Sequence, residues 1–195
     1  MFYEWIYKSW KRATGCARFW YACRGNEIRL FLQPMSNTSA FFSLRPATSA
    51  DAPQLLRLIR LLAEYEKAPH EVTNTVEDII QDGFGDHPVF HAIVAETEGR
   101  IVGMSLWYTR YSTWKGKCLY LEDIIVEETH RGKGIGKALF EATIRAAKAM
   151  QAKAMVWQVL DWNTPSIEFY KKYGCDLDSS WINCKLTEQQ INAFQ

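Results

Sequence analysis

The stretch CLYLEDIIVEETHRGKGIGKALFEATIRAAKAM, from Cys118 to Met150, decides how this chain is read. It opens as a strand over Cys118 to Val126, passes through the glycine loop Arg131-Gly-Lys-Gly-Ile-Gly136-Lys137, and continues as a helix to Met150. Ile135, Leu139, Ala142 and Ala146 line one helical face, and Phe140, Ile144 and Ala147 widen it. Closely spaced glycines let backbone N–H groups turn toward an anion, and the helix N-terminus adds roughly half a positive charge. Arg131, Lys133 and Lys137 add cations, so a phosphate ligand is favoured over a bare turn. The loop is not G-x-x-x-x-G-K-[ST], because Ala138 follows Lys137. Nor is it G-x-G-x-x-G, because Gly136 arrives one residue early. A pyrophosphate site is the expectation.

Outward from this stretch the periodicities alternate. Toward the N-terminus, Ile101 to Tyr111 and Val89 to Ala95 read as strands joined by a turn at Glu98-Gly99-Arg100. Val76 to Phe84 reads as a short helix. Leu55, Leu58, Ile59 and Leu62 repeat at helical spacing after polar cap candidates at Thr48 to Asp51 and a first-turn Pro53. Phe42 to Arg45 is a short strand. Toward the C-terminus, Ala154 to Leu160 reads as a strand, Ser166 to Tyr173 as a helix opened by Thr164-Pro165, and Trp181 to Leu186 as a last strand. This order mixes hairpins with crossovers, so an α+β fold with a mixed sheet and helices on its faces follows.

The chain has 195 residues, 23 Lys+Arg against 22 Asp+Glu, and 48% hydrophobic residues. That is one globular domain able to bury a core without staples. No apolar run reaches the roughly 18 residues a membrane span needs, and the near-zero charge argues against a dedicated nucleic-acid binder. Cys16, Cys23, Cys118, Cys175 and Cys184 form no paired spacing and read as reduced cytosolic thiols. The four histidines have no ligand-set spacing, so no metal is expected.

Residues 1–34 differ: nine aromatics, six Lys+Arg and two acids, with no secretory h-region. Such a segment can stack on single-stranded nucleic acid. It can equally be a poorly ordered tail, or lie ahead of a true start at Met35. Pro34 and the polar run after Met35 mark a boundary. The expected organisation is a poorly structured extension over 1–40 and one domain over 41–195.

The glycine loop resembles the acetyl-CoA-binding motif [RQ]-x-x-G-x-[GA] of the GNAT family of N-acetyltransferases. Tyr120-Leu-Glu-Asp123, Trp162-Asn163, Phe169-Tyr170-Lys171, Arg45-Pro-Ala-Thr48, Leu61-Leu-Ala-Glu-Tyr-Glu66 and Asp82-Gly-Phe-Gly85 look like its diamine acetyltransferase subfamily. The resemblance runs from about residue 42 to 187. It implies a mostly antiparallel central sheet, acetyl-CoA as cosubstrate with no metal, a small-molecule amine substrate, a cytoplasmic setting and a homodimer.

Acetyl transfer to an amine sets three tasks. An ammonium with a pKa of about 10.4 must lose a proton, and holding it neutral at pH 7 costs about 4 to 5 kcal/mol. Glu122, ahead of the loop, fits as base, directly or through a water, and the resemblance implies the same. Strand alternation turns Asp123 to the opposite face unless a bulge re-aims it. The resemblance implies such a bulge, with Asp123 helping to bind the amine. It also implies a backbone donor to the oxyanion near Ile124, worth about 3 kcal/mol, and acetyl-CoA paired along Ile124, Ile125 and Val126. Its remaining contacts would be Arg131, Gly132, Lys133, Gly134, Ile135, Gly136, Lys137, Asn163, Thr164, Pro165 and Ser166. Lastly the thiolate must be protonated. A phenol suits the task, and Tyr170 matches the subfamily's acid. For the cationic amine, Trp114 offers a ring face and Tyr65 and Glu66 polar contacts. Polyamine-acetylating members look like Tyr-Asp-Pro-Trp where this chain has Tyr111-Ser-Thr-Trp114, and carry acids where it has Asp178-Ser-Ser-Trp181. Tyr111-Ser-Thr-Trp-Lys-Gly116 and Leu160-Asp-Trp-Asn163 look instead like the thialysine N-epsilon-acetyltransferase branch.

Overall fold

In the computed structural model, which describes residues 41–194, five strands form one sheet in chain order. They are β1 (Ser43–Pro46), β2 (His91–Thr97), β3 (Arg100–Ser112), β4 (Gly116–Val126) and β5 (Met155–Val156). The extension expected over residues 1–40 lies outside the described residues. Pairing is antiparallel from β1 to β4 and parallel between β4 and β5, which gives the mixed, mostly antiparallel sheet expected of an α+β fold. Helices α1 (Ala52–Tyr65), α2 (Val76–Phe84) and α3 (Ile135–Ala149) belong with it in a unit that ends at Trp157. A second unit begins at Gln158 and holds α4 (Thr164–Lys171) and α5 (Glu188–Asn192).

Strand alternation divides the core. Ala52, Leu55, Leu56 and Leu58 of α1 and Ile79 of α2 bury against Val94, Ile101, Met104 and Ile125 on one face of the sheet. On the other face α3 presents Ile135, Leu139, Phe140, Ala142, Ala146 and Ala147. This helix lies so close to β3 that a Cβ at Gly103 would stand 3.2 Å from Leu139 Cδ1 and 2.9 Å from the Ile125 carbonyl oxygen. One turn further along, the buried Ser105 and Thr143 hydroxyls satisfy each other at 2.6 Å, as two desolvated polar groups must.

The Arg45-Pro-Ala-Thr48 motif has a structural use. Arg45 donates to both Asp51 oxygens at 2.6 and 2.9 Å and to Glu96 at 2.8 Å, tying β1 to the start of α1 and to β2. At the start of α2, the Thr75 hydroxyl accepts from Asp78 N–H and the Asp78 carboxylate accepts from Thr75 N–H, a reciprocal cap.

Two sequence expectations are corrected. The strand expected over Ala154 to Leu160 is only Met155–Val156, paired to Leu119 and Tyr120. The ladder stops where β4 bulges, and a bulge bends its strand away from a straight neighbour. The strand expected over Trp181 to Leu186 does not form. Alternation supplies a face for a strand but no partner. A short capped helix, α5, follows it, and no periodicity announced that helix.

Candidate active site

The register of β3 on β4 slips at one place: Leu106 faces Asp123, whereas Trp107 faces Leu121. Glu122 is the additional residue of a β-bulge and is exposed to solvent. This is the bulge that the resemblance implied. It puts Asp123 opposite Leu106, on the face of the sheet that carries Met104 and α1. Burial raises the Asp123 carboxyl to about 7, helped by the charges of Glu122 and Glu66. Glu66, which closes α1 with its N–H on the Leu62 carbonyl, is itself pushed up by partial burial. Tyr108 and Tyr120, paired across the strands with ring centroids 5.2 Å apart, are raised by burial and then by Glu122. Three carboxyl groups and two phenols are therefore electrostatic neighbours around the middle of the β3–β4 pair. Tyr108 was not singled out from the sequence, and Tyr120 entered only as the first residue of the motif Tyr120-Leu-Glu-Asp123, without a role.

Trp114 is not brought to this group. It stands at the tip of the β3–β4 hairpin, 83% exposed. Gly116 alone is six strand residues from Glu122, about 20 Å at the usual rise.

Beyond the bulge β4 loses its outer neighbour: β5 ends opposite Tyr120, and no strand pairs with that edge of Leu121 to Val126 among the described residues. Ile124, Ile125 and Val126 remain bonded to β3 through Ser105, Met104 and Gly103 on the other edge. A peptide-like chain can pair with such an open edge as an added strand does.

The glycine loop follows directly. Gly132 and Gly134 take φ of +74° and +83°, a region costly for residues with a Cβ. No heavy atom lies within 4 Å of where their Cβ atoms would stand, so the backbone there is approachable. Gly134 is the N-cap of α3 and brings no side chain to cap the first turn, which leaves those N–H groups for a ligand. Ile135 is buried and anchors the helix, while a Cβ added at Gly136 would meet Val126 Cγ2 at ordinary contact distance. Arg131 donates from Nε to the Val126 carbonyl at 3.0 Å and lies 5.2 Å from the centre of the Tyr65 ring. Lys133 donates to the Thr129 carbonyl at 3.1 Å and covers the Phe41 ring at 4.5 Å. Lys137 reaches Glu141 at 3.9 Å. The donor set and the positive dipole suit a diphosphate, and the residues present thus fit the pyrophosphate of acetyl-CoA.

In the second unit, Asn163 caps α4 by accepting from Ser166 N–H at 3.4 Å, with Pro165 in the first turn after Thr164. Tyr170 is 6% exposed, and burial, with Cys175 adding to it, raises its phenol to about 12.

A model of the acetyltransferase (GNAT) family matches residues 55–175, more than half of the chain. The thialysine N-epsilon-acetyltransferase of Bos taurus is 40% identical over 143 residues, 69% of this chain and 84% of that protein. The spermidine/spermine N(1)-acetyltransferase-like protein 1 of Homo sapiens is 37% identical over 147 residues, 71% of this chain but 21% of that protein. The crystal structure of an aminoglycoside acetyltransferase from an uncultured soil metagenomic sample has a TM-score of 0.64 at 20% identity, covering 76% of this chain and 97% of the other, a likeness of fold alone. On the family match, the bulged strand and the glycine loop that follows it, this chain belongs to the GNAT family and is an N-acetyltransferase.

Proposed function

We propose that the chain transfers acetyl from acetyl-CoA to a primary amine of a small lysine-like or diamine substrate, by direct attack within a ternary complex. The observation that carries this reading is the bulge at Glu122, which gathers Glu122, Asp123 and Glu66 beside an open strand edge and ahead of the glycine loop. Three carboxyl groups attract an ammonium. Asp123, at about 7, can hold or release a proton near neutral pH, where a proton acceptor works best. Glu122, exposed on the bulge, takes the amine proton through a water, and Asp123 and Glu66 bind the cation. Acetyl-CoA supplies the activated acetyl group as a thioester. The loop from Arg131 to Lys137 binds its pyrophosphate, Ile124 to Val126 and Asn163 to Ser166 orient it, and an N–H near Ile124 donates to the acetyl carbonyl.

Tyr170 serves the leaving sulfur. Its phenol at about 12 stands some 3.5 units above an ordinary thiol, so complete proton transfer is uphill by roughly 5 kcal/mol. Tyr170 therefore acts first as a hydrogen-bond donor to the thiolate, and burial strengthens that bond.

A polyamine is the second reading, favoured by the human relative named for spermidine and spermine. CoA release by the full chain, given acetyl-CoA with thialysine, lysine, spermidine or a lysine peptide, separates them. Turnover on thialysine or lysine at least tenfold above spermidine is expected. Preference for spermidine would select the second reading. Tight acetyl-CoA binding with no turnover on any amine would make the chain a non-catalytic acyl-CoA-binding module.

A further inference from the structure

The carboxylate of Glu127 is 7% exposed and takes no part in the chemistry above. It is nonetheless held by two arginines from separate elements, with a histidine beside it. Arg57 of α1 donates to its Oε1, and Arg100, the first residue of β3, donates to the same oxygen at 2.8 Å. His130 Nδ1 lies 3.6 Å from its Oε2. Arg57 also donates to the Ile101 carbonyl at 2.7 Å, and Gln54 Oε1 accepts the Ile101 N–H at 3.3 Å, so α1 is locked to the beginning of β3 at the same point. The Glu127 backbone is committed as well. Its N–H donates to the Val102 carbonyl at 2.9 Å, extending the β3–β4 ladder by one bond. Its carbonyl accepts the His130 N–H at 2.9 Å, closing the turn Glu128–His130. Arg131 comes next and returns to the Val126 carbonyl, so the bonds of both residues converge on the last step of β4.

We infer that Glu127 is a positioning residue for acetyl-CoA: it fixes the take-off of the glycine loop so that the N–H groups around Gly132 and Gly134 converge on the pyrophosphate without further ordering. The inference rests on the loop being the acetyl-CoA site. Two arginines from separate elements repel each other unless an anion lies between them, and a buried carboxylate that lost them would stand uncompensated. Together they set a buried side-chain anchor at the loop's start, beside the Arg131 bond to Val126, while the buried Ile135 sets its end. Between these anchors the backbone has positive φ at Gly132 and Gly134, and a loop free to relax there would have to be ordered anew on each binding event. Direct electrostatics has the opposite sign. A carboxylate near an anion site repels the anion, so its removal would tighten binding if repulsion were its main effect.

The test uses the full chain carrying Glu127→Gln and, separately, Arg100→Gln at the exposed first residue of β3, a milder change because Arg57 stays on the Glu127 carboxylate. Acetyl-CoA affinity is measured by calorimetry, KM and kcat at saturating amine, and amide hydrogen exchange peptide by peptide. Positioning predicts an affinity for acetyl-CoA weaker by about tenfold and a matching rise in KM in Glu127→Gln. It also predicts kcat within twofold of the unaltered protein, faster exchange confined to residues 128–136, and a smaller shift of the same kind in Arg100→Gln. Unchanged or tighter binding would overturn it, as would a fall in kcat at constant KM, or faster exchange spread over the whole sheet. Failure of the unaltered protein to bind acetyl-CoA would instead sink the loop assignment, and the exchange rates at 128–136 would still decide whether Glu127 holds the loop.

Discussion

The loop–helix region from Val126 to Ala149 and the chain after Trp157 both carry strong sequence signals, and only the first turns them into burial. In α3 the apolar face is consumed: Ile135, Leu139 and Phe140 are each at most 1% exposed. Among the described residues after Trp157, Tyr170 is the one that is buried, while Trp181, Ile182 and Phe194 stand at 72%, 88% and 89% exposed. The difference teaches what a hydrophobic pattern requires. α3 follows a strand already fixed in the sheet, so its apolar face has a surface waiting for it. The alternation over Trp181 to Leu186 pairs with no strand among the described residues, and without a partner it forms none.

The largest effects separate binding from turnover across these two regions. Gly134→Val places a β-branched residue at φ +83° in the loop, beside the backbone that a pyrophosphate must approach. Acetyl-CoA binding is expected to fall at least a hundredfold, read by calorimetry. Tyr170→Phe, in the second unit, removes one hydroxyl and keeps the ring. It is expected to lower kcat by one to several orders of magnitude with acetyl-CoA affinity within threefold. Equal losses of affinity in both variants would erase the distinction, and an unchanged kcat in Tyr170→Phe would remove its role as donor.

A stability contrast follows. Leu139→Ala opens a cavity against Gly103 and is expected to cost about 3 kcal/mol in urea unfolding. Ile182→Ser, at 88% exposure, is expected to stay within about 0.5 kcal/mol. A cost above about 2 kcal/mol at Ile182 would mean that the segment buries its apolar side chains in solution, for instance against a second copy.

Local order was readable in the sequence wherever periodicity and punctuation agreed. Val76–Phe84 has the expected bounds, Ile135–Ala149 ends one residue early, and the central strands agree within a few residues because each has a neighbour in the chain to pair with. The glycine loop was readable because positive φ restricts residue choice. What the sequence hides is position in space. Trp114 has the chemistry for a cation, and the glycine-bearing turn between the strands already placed it at a hairpin tip, but nothing local says how far that tip stands from Glu122. Glu127 and Glu128 are adjacent glutamates, and only folding makes one of them a buried partner of two arginines. The slip at Glu122 came from resemblance, since simple alternation would have sent Asp123 to the other face.

Two aspartates in the first unit carry modest, pH-dependent effects of opposite sign. Asp51 accepts from Arg45 and from the Thr48 N–H and hydroxyl, and these bonds, Arg45 first, hold its carboxyl down at about 2. Its contribution is complete above the unfolded value of about 3.9 and is lost as pH falls through about 2. Asp51→Asn should therefore cost about 1–2 kcal/mol at pH 7 and almost nothing at pH 2. Asp123 is raised to about 7, by burial before any neighbour, so its sign is reversed. Nothing is lost below about pH 4, the cost of its charge grows as pH rises toward 7, and it is complete above that. Asp123→Asn is expected to leave Tm unchanged at pH 4, to raise it by a few degrees at pH 8, and to lower turnover at both. Thermal melts at pH 4, 6 and 8 read the slope directly. A variant that melted lower at pH 8 would make Asp123 a structural carboxylate like Asp51. A carboxylate whose charge destabilises the fold, set beside two other acids, fits a group that binds or titrates better than one that braces the structure.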